Sequence, residues 1–172
     1  MKKLNLKLIT AVLAAIAVLG ACKKKNEGCT YTPGTTVATA AQEKVVTDYL
    51  TANSITAVEL DNSGLYYVID AAGTGAKPGL CNTVVAKYKG QLSNGTIFDQ
   101  TAGTSTASFT LGGTIEGWKR GVPLIGAGGK IRLYIPSSMG YGEAGIFNSN
   151  TGLYTIPQNA MLIFDVEITA IL

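Results

Sequence analysis

Histidine is absent from all 172 residues, tryptophan occurs once and cysteine three times. That leaves too few nitrogen and sulfur ligands for a zinc-type centre. Charge is also sparse: 15% of residues are charged against 47% hydrophobic, with 21 glycines. A disordered chain or a coiled coil needs far more charge, so the balance points to a packed, turn-rich, β-rich body. The length suits one modest domain with appendages and excludes two large ones. Long apolar runs are lacking too. The longest, Leu8 to Ala21, is too short to cross about 30 Å of hydrocarbon comfortably.

That run follows a short cationic stretch, Met1 to Lys7, which gives residues 1–21 the form of a secretory signal peptide. Its end, Leu19-Gly20-Ala21-Cys22, resembles the lipobox of bacterial lipoproteins, in which the cysteine becomes the acylated first residue of the mature chain. The resemblance implies a lipid anchor on Cys22 and a place in the bacterial cell envelope; Lys23 directly after the cysteine is similar to other lipoproteins of the outer membrane, where the domain is expected to face the periplasm. Acyl chains contribute about 0.8 kcal/mol per buried methylene, enough to hold a protein on a bilayer without a transmembrane helix. Lys2, Lys3 and Lys7 fall in the segment to be removed, so eleven basic residues remain against eleven acidic ones. Such a balance leaves no basic footprint for nucleic acid. With Cys22 acylated, Cys29 and Cys81 remain as an even pair in an exported protein, either bridged or as free thiols.

Residues 22–38 are polar and read as a tether. Thr39-Ala40-Ala41-Gln42 has capping-box form, and Ala41, Val45, Tyr49 and Ala52 recur at helical spacing to Asn53, so residues 39–54 are expected to form a short amphipathic helix. Its apolar face calls for a partner, either the following domain, residues 55–172, or another molecule, and at this length docking on the domain is expected. From Gly64 the period becomes two. Strands are expected over Leu65–Ile69, around Val84–Tyr88, over Ala107–Leu111, Lys130–Ile135 and Met161–Ile171, with a hairpin turn at Ser93-Asn94-Gly95-Thr96. Ile131, Leu133 and Ile135 share one face, which leaves Tyr134 pointing outward as a surface aromatic. Thr114 to Leu124 carries Ile115, Trp118 and Val122, with Ile125 directly after, at spacings of three and four, a short helix. The fold class is therefore α+β, an antiparallel sheet with one helix packed against it.

The succession Tyr88-Lys89-Gly90, Gly95-Thr96-Ile97-Phe98-Asp99, Phe109-Thr110-Leu111, Ile115-Glu116-Gly117-Trp118, Ile135-Pro136, Tyr141-Gly142, and Ile156-Pro157 with Ala160 to Val166 resembles the FKBP family of peptidyl-prolyl isomerases over about a hundred residues. The resemblance implies a five- or six-stranded antiparallel sheet wrapped around a short helix. It implies a proline pocket with Trp118 as floor and Tyr88, Phe98, Phe109, Ile115 and Phe164 as walls. Thr114 and Ile156 join the pocket, Tyr141 donates from its hydroxyl, and Asp99 is the one carboxylate. Tyr88, Asp99 and Tyr141 are the expected catalytic groups, and the substrates would be folding proteins with X-Pro bonds, met by a monomer. No cofactor or metal is implied, since rotation about an amide makes and breaks no bond. A binding module or chaperone using the same pocket without turnover is the alternative. Two departures stand out. Thr114 replaces an aliphatic residue, and the loop Ile146 to Thr155 is longer than in compact members.

Overall fold

The computed structural model describes residues 28–172. The signal peptide, Cys22 and the first part of the tether lie outside the described residues. Helix α1 spans Ala40–Ala52 and α2 spans Glu116–Gly121. The strands are β1 (Val58–Leu60), β2 (Leu65–Ala71), β3 (Thr83–Leu92), β4 (Ile97–Gln100), β5 (Ala107–Thr110), β6 (Lys130–Ile135), β7 (Ile146–Asn148), β8 (Leu153–Ile156) and β9 (Leu162–Ile171).

Seven strands form one antiparallel sheet in the order β1-β2-β6-β9-β3-β4, with β5 also on β3. Because β4 and β5 occupy successive lengths of the same β3 edge, the sheet is six positions wide. This is the expected architecture, with β1 added from a segment too short to show a period of its own. β3 and β9 form the longest pairing, from Val84↔Ile171 to Leu92↔Leu162. The inner face carries Val84, Ala86, Ile131, Leu133, Ile135, Leu162, Phe164, Val166 and Ile168, which close over Leu111, Trp118, Val122 and Ile125. Helix α2, of six residues, is too short to persist alone and is held by this packing.

The outer face is where sequence and structure part. Tyr134 alternates outward as expected, yet it is fully buried, because α1 covers that face with Val46 and Leu50 against Tyr134, Met161 and Ile163. The capping box is present, with Thr39 Oγ1 accepting from the Gln42 amide and Gln42 Oε1 accepting from the Thr39 amide. The docked stripe is rotated by one residue from Ala41, Val45, Tyr49 and Ala52, and Val45 is left half exposed. Both stripes have helical spacing. The one used is the one that lets Gln42 donate to Ser137 Oγ at 3.2 Å and brings Tyr49 to 6.1 Å from Tyr134.

Residues 28–38, expected as free tether, lie along the domain instead. Tyr31 covers Gly112, Gly34 abuts Glu116, the Thr36 carbonyl accepts from Arg120 at 2.8 Å, and Ala38 donates to the Ser63 carbonyl at 2.9 Å. Cys29 and Cys81 are joined by a disulfide, with Cα atoms 5.7 Å apart. Among the described residues no helix is long and apolar enough to cross a membrane.

Candidate functional site

A cavity of about 570 Å³ opens between α2, the inner face of β3 and β9, strands β4 and β5, and the hairpin β7–β8. Its size suits a peptide side chain with its neighbours or a small ligand. All ten residues expected around a proline pocket line it: Tyr88, Phe98, Asp99, Phe109, Thr114, Ile115, Trp118, Tyr141, Ile156 and Phe164. Their convergence follows from alternation. Tyr88 and Phe164 point inward from β3 and β9, whose pairing sets Tyr88 opposite Val166 and Gly90 opposite Phe164. Gly90 is required there, since a Cβ would come within 2.6 Å of Phe98 and 2.8 Å of Phe164.

The rings form a basket. Trp118 has Phe109 and Phe164 at 5.4 Å and Tyr88 at 5.6 Å between centroids, all near-perpendicular. Phe98 meets Phe164 edge-on at 5.5 Å. These spacings are those at which edge-to-face pairs attract. Trp118 is nearly fully buried, and its Nε1 has no hydrogen-bond partner. The dull reading of a lone tryptophan, that it only fills the core, holds in part: Trp118 belongs to the core and to the cavity floor together.

Polar groups are few. The Tyr88 hydroxyl donates to Asp99 Oδ2 at 2.6 Å. Burial, the bond to Asp99 and its negative charge push the Tyr88 phenol up to about 12. Burial, then Asp99, also raises the Tyr141 phenol. Both hydroxyls therefore stay protonated donors well into alkaline solution. Thr114 Oγ1 donates to the Leu111 carbonyl at 2.7 Å and closes the turn before α2, so the polar atom that replaces an aliphatic wall is satisfied within its own backbone.

Three further residues line the cavity: Gly113, Ile146 and Thr155. Ile146 and Thr155 come from the long loop, which is a two-stranded hairpin, β7 on β8. Its signal in the sequence is two short apolar stretches on either side of Asn148 to Gly152, read only as a loop because Asn and Ser dominate the middle. Cys29 and Cys81 take no part in the cavity.

A sequence profile described as FKBP-type peptidyl-prolyl cis-trans isomerase matches residues 75–169. The chain is 40% identical over 126 residues to the FKBP-type peptidyl-prolyl cis-trans isomerase FkpA of Aeromonas hydrophila, covering 72% of this chain and 44% of that one. It is 36% identical over 110 residues to the outer membrane protein MIP of Legionella longbeachae, covering 63% of this chain and 45% of that protein. The chain thus spans less than half the length of these curated relatives. The crystal structure of FkpA from Escherichia coli superposes with a TM-score of 0.64 at 36% identity, covering 77% of this chain and 60% of that one. A peptidyl-prolyl cis-trans isomerase from Pseudomonas syringae pv. tomato superposes with a TM-score of 0.62 at 31% identity, covering 80% of this chain and 98% of that one.

Proposed function

The chain belongs to the FKBP-type peptidyl-prolyl cis-trans isomerase family, and from that premise we propose that it is an active isomerase of X-Pro bonds in exported proteins, working in the aromatic cavity around Trp118. The observation that carries the proposal is the basket itself: six aromatic rings, two of them protonated tyrosines, about one carboxylate, with no other charged side chain lining the cavity.

An X-Pro bond resists rotation by roughly 18–20 kcal/mol because twisting abolishes amide resonance, and uncatalysed exchange takes tens to hundreds of seconds. The planar amide is the more charge-separated form. A water-poor aromatic site disfavours that form relative to the twisted one, and differential binding of this kind lowers the barrier without a nucleophile or base. In this reading Trp118 carries the proline ring, Phe98, Phe109, Ile115, Ile156 and Phe164 exclude water, and Thr114 forms the rim. Tyr141 donates to a carbonyl of the substrate. Tyr88 holds Asp99 in place, and Asp99 supplies a fixed negative charge rather than accepting a proton.

The form of residues 1–22 supports export and a lipid anchor on Cys22 in the cell envelope, and Lys23 after the cysteine supports the outer membrane, with the domain facing the periplasm. Docking of residues 31–38 would leave only Lys23 to Gly28 between such an anchor and the disulfide. At about 3.5 Å per residue, six residues hold the domain within roughly 20 Å of the membrane surface. Coverage of the outer sheet face by the chain's own α1 supports a monomer.

The test is the refolding of a protein limited by proline isomerisation, with catalytic amounts of the full chain and of Asp99→Ala and Trp118→Ala variants. Acceleration by the parent and its loss in the variants are expected. Suppressed aggregation without acceleration would replace the enzyme with a chaperone, a reading favoured by the exposed apolar side chains of the β7–β8 hairpin.

A further inference from the structure

Tyr88 holds Asp99 with its hydroxyl, and Tyr88 itself stands at a break in the sheet. On one side of β3 it lies opposite Val166 of β9. On the other side β3 changes partner: β5 reaches only to Ala86↔Ala107, and β4 begins at Lys89↔Gln100. Lys87 and Tyr88 fall in the gap. At this edge neither strand pairs the residue that carries the hydroxyl, and its main-chain N–H and C=O need partners from elsewhere.

Thr101 supplies them. Continued by one residue past Lys89↔Gln100, the antiparallel register sets Thr101 opposite Tyr88. In an unbroken ladder a hydrogen-bonded pair exchanges two main-chain bonds. Here one of them is main chain, from the Thr101 amide to the Tyr88 carbonyl at 3.0 Å. The other is made by the side chain: the Tyr88 amide donates to Thr101 Oγ1 at 3.2 Å, and that hydroxyl donates to the Tyr88 carbonyl at 3.3 Å. A hydroxyl offers one donor and two acceptor positions, so it serves both groups at once. With Oγ1 in place of the carbonyl, the chain is free to leave the sheet directly after Thr101. It does so into the loop 102–106, which Ser105 closes by donating to the Ala102 carbonyl at 2.8 Å.

Asp99 lies two residues before Thr101 on the same run of chain. A closed circuit results: the Tyr88 hydroxyl to Asp99, the chain from Asp99 to Thr101, and the Thr101 hydroxyl back to the Tyr88 main chain. Thr101 is half-buried and does not line the cavity. Closing the turn alone would be met by the Thr101 amide, whose bond to Tyr88 does not depend on the side chain.

Resting on the isomerase reading, we propose that Thr101 is a positioning residue for the reaction: its hydroxyl completes the edge of β3 at Tyr88 and so fixes the direction from which Tyr88 holds Asp99 at the cavity. A carboxylate whose field matters more to the twisted amide than to the planar one affects turnover more than binding.

The experiment uses the full chain with Thr101→Val, which keeps the shape and the amide and loses the hydroxyl, beside Thr101→Ser, which keeps the hydroxyl. On a prolyl peptide Thr101→Val is expected to lower kcat by about five-fold with KM nearly unchanged, and Thr101→Ser to stay within about two-fold of the parent. In a Tyr88→Phe background no hydroxyl is left to aim, and Thr101→Val should cost less than about two-fold more. Independently of turnover, the nuclear magnetic resonance signal of the Asp99 carboxyl carbon should move in Thr101→Val in the same direction as in Tyr88→Phe and return in Thr101→Ser. Additive losses in the double variant, or an Asp99 signal that Thr101→Val leaves in place, overturn the proposal. Should Thr101→Val fail to fold, Thr101→Ala carries the same comparison. A parent that turns over no peptide sinks the isomerase reading alone, and the Asp99 signal still decides for or against Thr101.

Discussion

The Tyr88 hydroxyl lies 2.6 Å from Asp99 Oδ2 and donates to it across the mouth of an otherwise apolar cavity. Tyr88 reaches inward from the interior strand β3, paired on both sides, while Asp99 sits on the edge strand β4, at the register position opposite Gly90. The bond therefore ties the exposed edge of the site to its rigid centre. Tyr88→Phe should leave the fold intact and let the carboxylate rotate into solvent. Loss of one such hydrogen bond, worth about 1–2 kcal/mol, predicts a fall in kcat/KM of about ten-fold on a prolyl peptide, with the far-ultraviolet circular dichroism unchanged.

The same geometry fixes the pH response. With Tyr88 at about 12 and Tyr141 also raised, neither phenol deprotonates in the range where most enzymes with a histidine base show a bell. Turnover should vary by less than about two-fold between roughly pH 6.5 and 9.5. A steep limb centred near neutrality would mean that a titrating group has been missed.

Stability has its own acid limb. Asp165 is partly desolvated, which raises its carboxyl, but Arg132 and Lys89, the latter at 3.0 Å, more than offset this and hold it below the usual carboxylate range. A depressed folded-state value adds stability that is complete above the unfolded value, about 3.9, and disappears as pH falls through the lower folded one. Asp165→Asn should lower the melting temperature at neutral pH and flatten its decline between about pH 4 and 2, read by thermal denaturation across that range.

The Cys29–Cys81 bridge spans 52 residues of sequence. By the chain-entropy estimate, closing a loop of that size stabilises by about 4 kcal/mol. Reduction, or Cys29→Ser, should lower the unfolding free energy read from urea titration by an amount approaching this. It should also release residues 28–36, seen as new protease cleavage near Tyr31, while the cavity keeps its peptide affinity.

Much of this was legible from side-chain periodicity. The alternation in β6 and β9 located the inner face because burial on one side leaves a strict period of two, and the aromatic positions followed from the family pattern. Tyr134 was misjudged although its direction was right: alternation says which face a residue occupies and nothing about what covers that face. The docking stripe of α1 differs by one residue from the one expected because Val45-Val46 and Tyr49-Leu50 offer two apolar stripes about 100° apart, and contacts distant in sequence, with Ser137, Tyr134, Met161 and Ile163, go with the one used. The β7–β8 hairpin was hidden because strands of three and four residues carry too few alternations to register. The course of residues 31–38 was hidden for another reason, since a polar segment held by backbone hydrogen bonds and a disulfide has no apolar signature at all.

The most direct test of the central claim is two-dimensional exchange spectroscopy on a short X-Pro peptide with a small molar fraction of the full chain. Exchange between cis and trans resonances far faster than the uncatalysed tens to hundreds of seconds, lost in Trp118→Ala although that variant remains folded, is the predicted result. Exchange no faster than in the peptide alone, from a chain that is folded and binds the peptide, would contradict it.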